Sequence, residues 1–292
     1  MSFKWAENDF FRGKEATSRL HNAVRLNSQQ KVQYLLRNGA DINEADKKGR
    51  TPLHLAVQKD YAGLVKTLID NFADIEARSS YGETALHIAA TRNHIRIVAL
   101  LIVEKANINA ENNEKRTALH MAAEDHNIEV VKILVDHGAN IEAVDIDGDT
   151  PLCFANRDIA KYLIKKGANV HVRNVAGENI LHLTDPDVAE LLIKNGVDVN
   201  QRDNGGWTPL HFAEWEVAKV LIDSGADMDA RDQYSWTPLH FAADRGDFEK
   251  AKLLIEKGAK TDQIDRYGNS PLQVAENKSH HDMAKLLKAS YY

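Results

Sequence analysis

Apolar residues recur along this chain in two alternating rhythms. Val130, Val131, Leu134 and Val135 fall at helical spacing and stop before Gly138, the residue type that most readily takes the left-handed conformation closing a helix. The stretch from Ala139 to Ala143 then alternates apolar and polar residues, as an extended arm does. Asp145 and Gly148 frame a tight turn, with Asp at its first position and Gly at its fourth. Thr150 suits the N-cap of a new helix and Pro151 its first position, where a missing N–H costs nothing. One unit therefore reads as turn, helix, helix, extended arm.

The helix start is a phrase that returns. Thr51-Pro52-Leu53-His54 reappears in variants starting at residues 84, 117, 150, 179, 208, 237 and 270, with Ser18-Arg19-Leu20-His21 as a degenerate first copy. Successive starts are separated by 33, 33, 33, 33, 29, 29, 29 and 33 residues, a period that marks a stacked array. Ala56, Ala89, Ala122, Ala155, Ala213, Ala242 and Ala275 each follow a phrase leucine by three residues, so leucine and alanine share one helical face. Alanine there lets neighbouring helices approach. A unit this small cannot bury its own apolar side chains, and stacking on neighbours removes them from water.

The T-P-L-H-x-A phrase, the D-x-x-G turn, the V-V-x-x-L run and the G-A-[DN]-[IV] exit together resemble the ankyrin repeat, in about nine copies over essentially the whole chain. The resemblance implies an all-α repeat solenoid of helix-turn-helix units with projecting β-hairpin loops. It also implies a concave recognition groove lined by turn tips and first helices, and protein binding rather than catalysis as the usual activity. On this reading residues 1–12 form an N-terminal cap segment and residues 13–292 a single ankyrin-repeat domain, with short units at about 146–232 and the last unit as C-terminal cap.

Several positions depart from the pattern. Phe72 and Lys105 replace the exit glycine, so those second helices end without the left-handed residue or carry strain of about 1 kcal/mol. Lys115 and Ser235 replace the turn glycine, and Asn179-Ile180 replace the Thr-Pro helix start. The larger departure is the run of 29-residue spacings. Comparing residues 122–131 with 155–160 places the loss at the junction between the two helices, where four residues amount to about one helical turn.

Composition narrows the function classes. A net charge of −6 and a pI near 6.1 give no general attraction to phosphate backbones, so nucleic acid is not the expected partner. No stretch approaches the roughly 18 apolar residues that span a bilayer, so no membrane insertion is expected. The one cysteine, Cys153, cannot form an internal disulfide. These features fit a cytoplasmic protein, or one delivered into a host cytosol.

No cofactor or metal is expected. Seven of the thirteen histidines sit in the phrase, but ligands 33 residues apart on successive units do not converge on one ion. Each imidazole more simply ties its own helix start to a neighbouring backbone. The acids Asp145, Asp147 and Asp149 resemble a calcium loop, yet the twelfth position, which needs a bidentate Glu, holds Asn156. There is no G-x-x-x-x-G-K-[ST], G-x-S-x-G or paired C-x-x-C, and the chain is read as no enzyme.

Turn positions carry more information, because stacking does not dictate them. Trp207, Tyr234, Trp236 and Tyr267 lie in the turns of the last three units, Tyr81 stands alone upstream, and Trp215 lies at a shortened junction. Such rings either anchor a partner or pack on one another to rigidify the tips. Asp147, Asp149 and Glu178 make the central region acidic, which predicts a partner protein presenting a segment with basic and apolar residues. The chain is expected to be a monomer, with a dimer through the aromatic tips as the alternative.

Two further readings arise. Asn43 and Asn200 lie in an L-x5-D-[IV]-N setting that resembles an asparagine hydroxylation acceptor of eukaryotic ankyrin repeats, although asparagine there also supports the hairpin by side-chain hydrogen bonds. Phe3, Trp5, Phe10 and Phe11 motivate an effector or regulatory role with a second contact at the N-terminus, against a simpler task of capping the first unit.

Overall fold

A computed structural model describes residues 19–290, and its helices come in antiparallel pairs separated by turns. Contacts divide the chain into two compact units, one ending at Asn140 and the other beginning at Ile141. The N-terminal aromatics Phe3, Trp5, Phe10 and Phe11, and the cap assigned to residues 1–12, lie outside the described residues.

The first unit contains four described pairs: α1 (Arg19–Arg25) with α2 (Gln29–Arg37), α3 (Pro52–Gln58) with α4 (Ala62–Asp70), α5 (Ala85–Thr91) with α6 (Ile95–Val103), and α7 (Ala118–Glu124) with α8 (Ile128–Asp136). First helices stack on first helices and second on second. The phrase leucines Leu53, Leu86 and Leu119 and the alanines Ala56, Ala89 and Ala122 are fully buried between them. Within each pair the chain reverses through one left-handed residue: Asn27, Asp60, Asn93 or His126, with φ between 50° and 58°.

The second unit contains five pairs, and the first three are cut short. A 3₁₀ turn over Pro151–Phe154 precedes α9 (Arg157–Lys165), another over Ile180–His182 precedes α10 (Pro186–Lys194), and the four-residue α11 (Pro209–Phe212) precedes α12 (Trp215–Asp223). Full-length pairs then return as α13 (Pro238–Arg245) with α14 (Phe248–Glu256) and α15 (Pro271–Asn277) with α16 (His281–Ala289). The missing four residues are thus the last turn of the first helix and the left-handed reversal. The reversal persists as Gly246 and Ser279 in the long pairs. In the short ones an extended N-cap, Asn156, Asp185 or Glu214, starts the second helix directly. Every second helix of this unit keeps nine residues, so its stacking face is not shifted.

The substituted glycine positions keep the glycine conformation. Phe72, Lys105, Lys115 and Ser235 all adopt positive φ, from 59° to 68°. The helices therefore end as their neighbours do, and the strain expected of a side chain in that region is present. Among the described residues the projecting loops are turns rather than strands, with one isolated antiparallel bridge between Arg173 and Asn179.

Candidate protein-binding face

Each turn is closed by its first residue. Asp232 illustrates the pattern: its N–H donates to the Trp236 carbonyl at 2.9 Å, and its Oδ1 accepts the N–H groups of Tyr234 and Trp236 at 2.8 and 2.7 Å. Asp145 does the same for Asp147 and Asp149, so the acid-rich turn spends that carboxylate oxygen on its own backbone. Within each unit the tips are then joined in a row, because the N–H of the second residue of a turn reaches the carbonyl of the third residue of the preceding loop, as Ser80 does to Lys48 and Asn113 to Tyr81 in the first unit. In the second unit Val175 donates to Asp147 at 2.8 Å, Asn204 to Ala176 at 2.9 Å, Gln233 to Gly205 at 3.1 Å and Arg266 to Tyr234 at 2.9 Å.

The histidines tie helix starts to the next loop. Thr208 donates its backbone N–H to His211 Nδ1 at 2.9 Å, which leaves Nε2 to donate to the Trp236 carbonyl at 3.2 Å. His54, His87 and His240 repeat this two-sided arrangement with Glu83, Arg116 and Asn269. Burial holds these imidazoles below their ordinary pKa, His211 to about 4, so they are neutral bridges. Cys153 takes this position in the first short pair. Its thiol, pushed up to about 12 by burial and by the Asp149 carboxylate, is no nucleophile.

Two rows of side chains converge beside these ties. One is the residue between the fourth turn position and the helix cap. Trp207, in that place, packs edge-on against Phe212 at 5.0 Å and Phe241 at 5.9 Å, and Trp236 packs against Phe241 at 5.2 Å. In the first unit the same position sends Arg50 to Gln58 and Arg116 to Glu124. Arg50, Arg116, Trp207 and Trp236 in this place therefore form a wall over their first helices. The other row is the residue at the position after the phrase histidine: Phe154, Leu183, Phe212 and Phe241 are partly exposed and form a floor, whereas Val274 in the last pair is buried. Wall and floor touch as Trp207 with Phe212 and Trp236 with Phe241, and the corresponding positions in the two preceding pairs hold Asp149 and Phe154, then Glu178 and Leu183.

The family model for ankyrin repeats, three copies long, matches residues 20–112, 93–174, 157–232 and 214–291. The chain belongs to the ankyrin-repeat family. Ankyrin repeats are a general protein-interaction scaffold, typically without enzymatic activity. None of the curated proteins compared with this ankyrin-repeat chain matches it.

Within the ankyrin framework the sequence-predicted residues separate into three groups. Asp149, Glu178, Trp207 and Trp236 belong to the wall. Tyr81, Asp147, Tyr234 and Tyr267 are exposed at turn tips, with the Arg266 guanidinium 5.4 Å from the Tyr234 ring and 6.0 Å from that of Tyr267. Trp215, 44% exposed, opens α12 and stands across the helix pair from the turns. The tryptophans at 207 and 236 do not project from the tips. Each turns inward, and its indole N–H donates to the acid that closes the next turn.

The floor row is what sequence reasoning missed. The position after the phrase histidine is apolar in every copy from Leu55 to Val274, although leucine and alanine already supply the stacking face. That surplus apolar position was the available signal.

Asn43 and Asn200 act structurally in these ankyrin repeats. Their Oδ1 atoms accept the N–H of Asp74 at 2.9 Å and of Asp227 at 2.7 Å, each one repeat ahead.

Proposed function

We propose that this chain is a non-enzymatic adaptor that holds a segment of a partner protein on the wall-and-floor face of residues 141–290. The carrying observation is the register of Leu183, Phe212 and Phe241, apolar side chains held at a solvent-reachable row that stacking does not require. Trp207 and Trp236 flank that row with large, immobilised rings, the kind of surface that supplies contact area at small entropic cost. Asp147, Asp149 and Glu178 give the beginning of the face its negative charge, so the segment combines basic with apolar residues. Tyr234 and Tyr267 extend the contact to the tips, Tyr81 belongs to the first unit, and Trp215 serves a separate edge. The same reading takes the protein as a cytoplasmic monomer.

Panning a random peptide library on the immobilised chain tests this. Enrichment of sequences that join Lys or Arg to Leu, Trp or Phe is expected, with capture lost in a Leu183→Ala/Phe212→Ala variant that keeps its helical circular dichroism. Recovery of no peptide class, or unchanged capture by the folded variant, would overturn the assignment.

A further inference from the structure

The face changes character along the stack of the second unit. At its start the wall positions are carboxylates, Asp149 and Glu178, in the pairs whose floor positions are Phe154 and Leu183. Asn174 amide nitrogen engages Glu178 at 2.8 Å, and burial together with the nearby Asp145 and Glu178 charges raises the Asp149 carboxyl above its ordinary value. A cation arriving here relieves that crowding. The middle is aromatic, from Trp207 to Phe241. There, over the Phe212 ring of the third pair, stands the Arg245 guanidinium at 5.8 Å from its centroid. Its neighbour Asp244 is engaged by Lys278 at 2.9 Å, and among the described residues Arg245 pairs with no carboxylate. A guanidinium stacked on a ring keeps its edge donors for a carboxylate.

We infer that the face is electrostatically polarised and accepts a partner segment in one charge order: a cationic end against Asp149 and Glu178, apolar or aromatic side chains over Leu183, and an anionic end, a side-chain carboxylate or a chain terminus, against Arg245 where it covers Phe212. This rests on the protein-binding reading of the same face. Charge order and apolar content are separate requirements, because the floor is indifferent to sequence direction while the two ends repel the wrong partner.

Two synthetic peptides of identical composition test it. One carries two lysines at one end, leucine and tryptophan in the middle and two glutamates at the other; its isomer places one lysine and one glutamate at each end. The segregated peptide is expected to bind at least about fivefold more tightly, as a few exposed ion pairs allow. Arg245→Glu is expected to abolish that advantage while leaving the isomer within about twofold. Equal affinity of the two peptides for the wild-type chain overturns the charge order but leaves the binding face standing. Binding of neither peptide, by a chain with unchanged circular dichroism, overturns both.

Discussion

The Trp207 indole N–H donates to Asp232 Oδ2 at 2.5 Å, and one repeat on Trp236 makes the same bond to Asp265 at 3.1 Å. Asp232 is buried and already accepts two backbone N–H groups of its own turn, so one carboxylate closes a loop and clamps the preceding wall residue. Trp207→Phe keeps an aromatic ring but removes the donor. A loss of about 1–3 kcal/mol in urea unfolding is expected, the usual cost of leaving a buried acceptor short of a charge-assisted bond. An unchanged midpoint would show that the clamp contributes nothing.

The fold was legible because each repeat states the same local rules: a cap threonine, an N1 proline, a leucine and alanine on one face and a glycine at the exit. Even the 29-residue spacing located its own cause, the junction where the chain now passes through Asn156, Asp185 or Glu214 instead of a left-handed residue. The orientation of side chains at the face was less legible. Sequence places Trp207 and Trp236 next to a turn, but only the acid of the following turn decides that their rings fold inward. Lys250 was also less legible: seven of the eight other pairs hold Leu64, Ile97, Val130, Ile159, Val188, Val217 or Met283 in its position, and the first pair holds an exposed Lys31. Periodic reading rewards the residue that repeats and passes over the one that does not.

The histidine bridges make stability depend on acid. Burial lowers the folded-state pKa of His211 to about 4, against 6.5 for the free side chain. Between these values the unfolded chain binds the extra proton, so the stabilisation is complete above pH 6.5 and is lost as pH falls. About 2 kcal/mol is expected to be gone from this one site by pH 5. Gln273 shows the remedy within the chain, since its Oε1 accepts the Ser270 N–H at 2.7 Å in the same capping geometry. His211→Gln should be the weaker protein at pH 7.5, having lost the bond to Trp236, and should show a shallower fall in melting temperature towards pH 5. Parallel curves for the two proteins would remove His211 as a source of the acid sensitivity.

Phe72 ends α4 at φ 66° with its ring 89% exposed, so nothing in packing offsets the left-handed backbone. Phe72→Gly is expected to stabilise by about 0.5–1 kcal/mol, the strain relieved less the extra freedom glycine gives the unfolded chain. Gly138→Ala, at φ 92° in the equivalent place with open space around a Cβ, should destabilise by a similar amount. Thermal melts of both variants decide the matter, and the two shifts must have opposite signs.

Lys250 is the one lysine among the buried described residues, in a core position that seven of the eight other pairs fill with apolar side chains, and it lies where the last short pair meets a full-length one. Because α11 stops at Phe212, the His211 carbonyl has no helical donor beyond it, and Lys250 Nζ donates to that oxygen at 2.8 Å. Burial lowers the lysine pKa from 10.5 to about 7, with Asp247 opposing the shift and Arg245 adding to it. The unfolded chain therefore binds the proton more tightly. The penalty is full below pH 7, declines as pH rises, and vanishes above 10.5, where neither state is charged. Lys250→Met installs the residue the chain already uses at position 283. It is expected to raise stability at pH 7 by about 1–3 kcal/mol, the relief of a buried cation less the loss of a partner for the His211 carbonyl. The gain should shrink at pH 9. A variant less stable than wild type at pH 7, or a gain that grows with pH, would mean that the hydrogen bond outweighs the desolvation of the ammonium group.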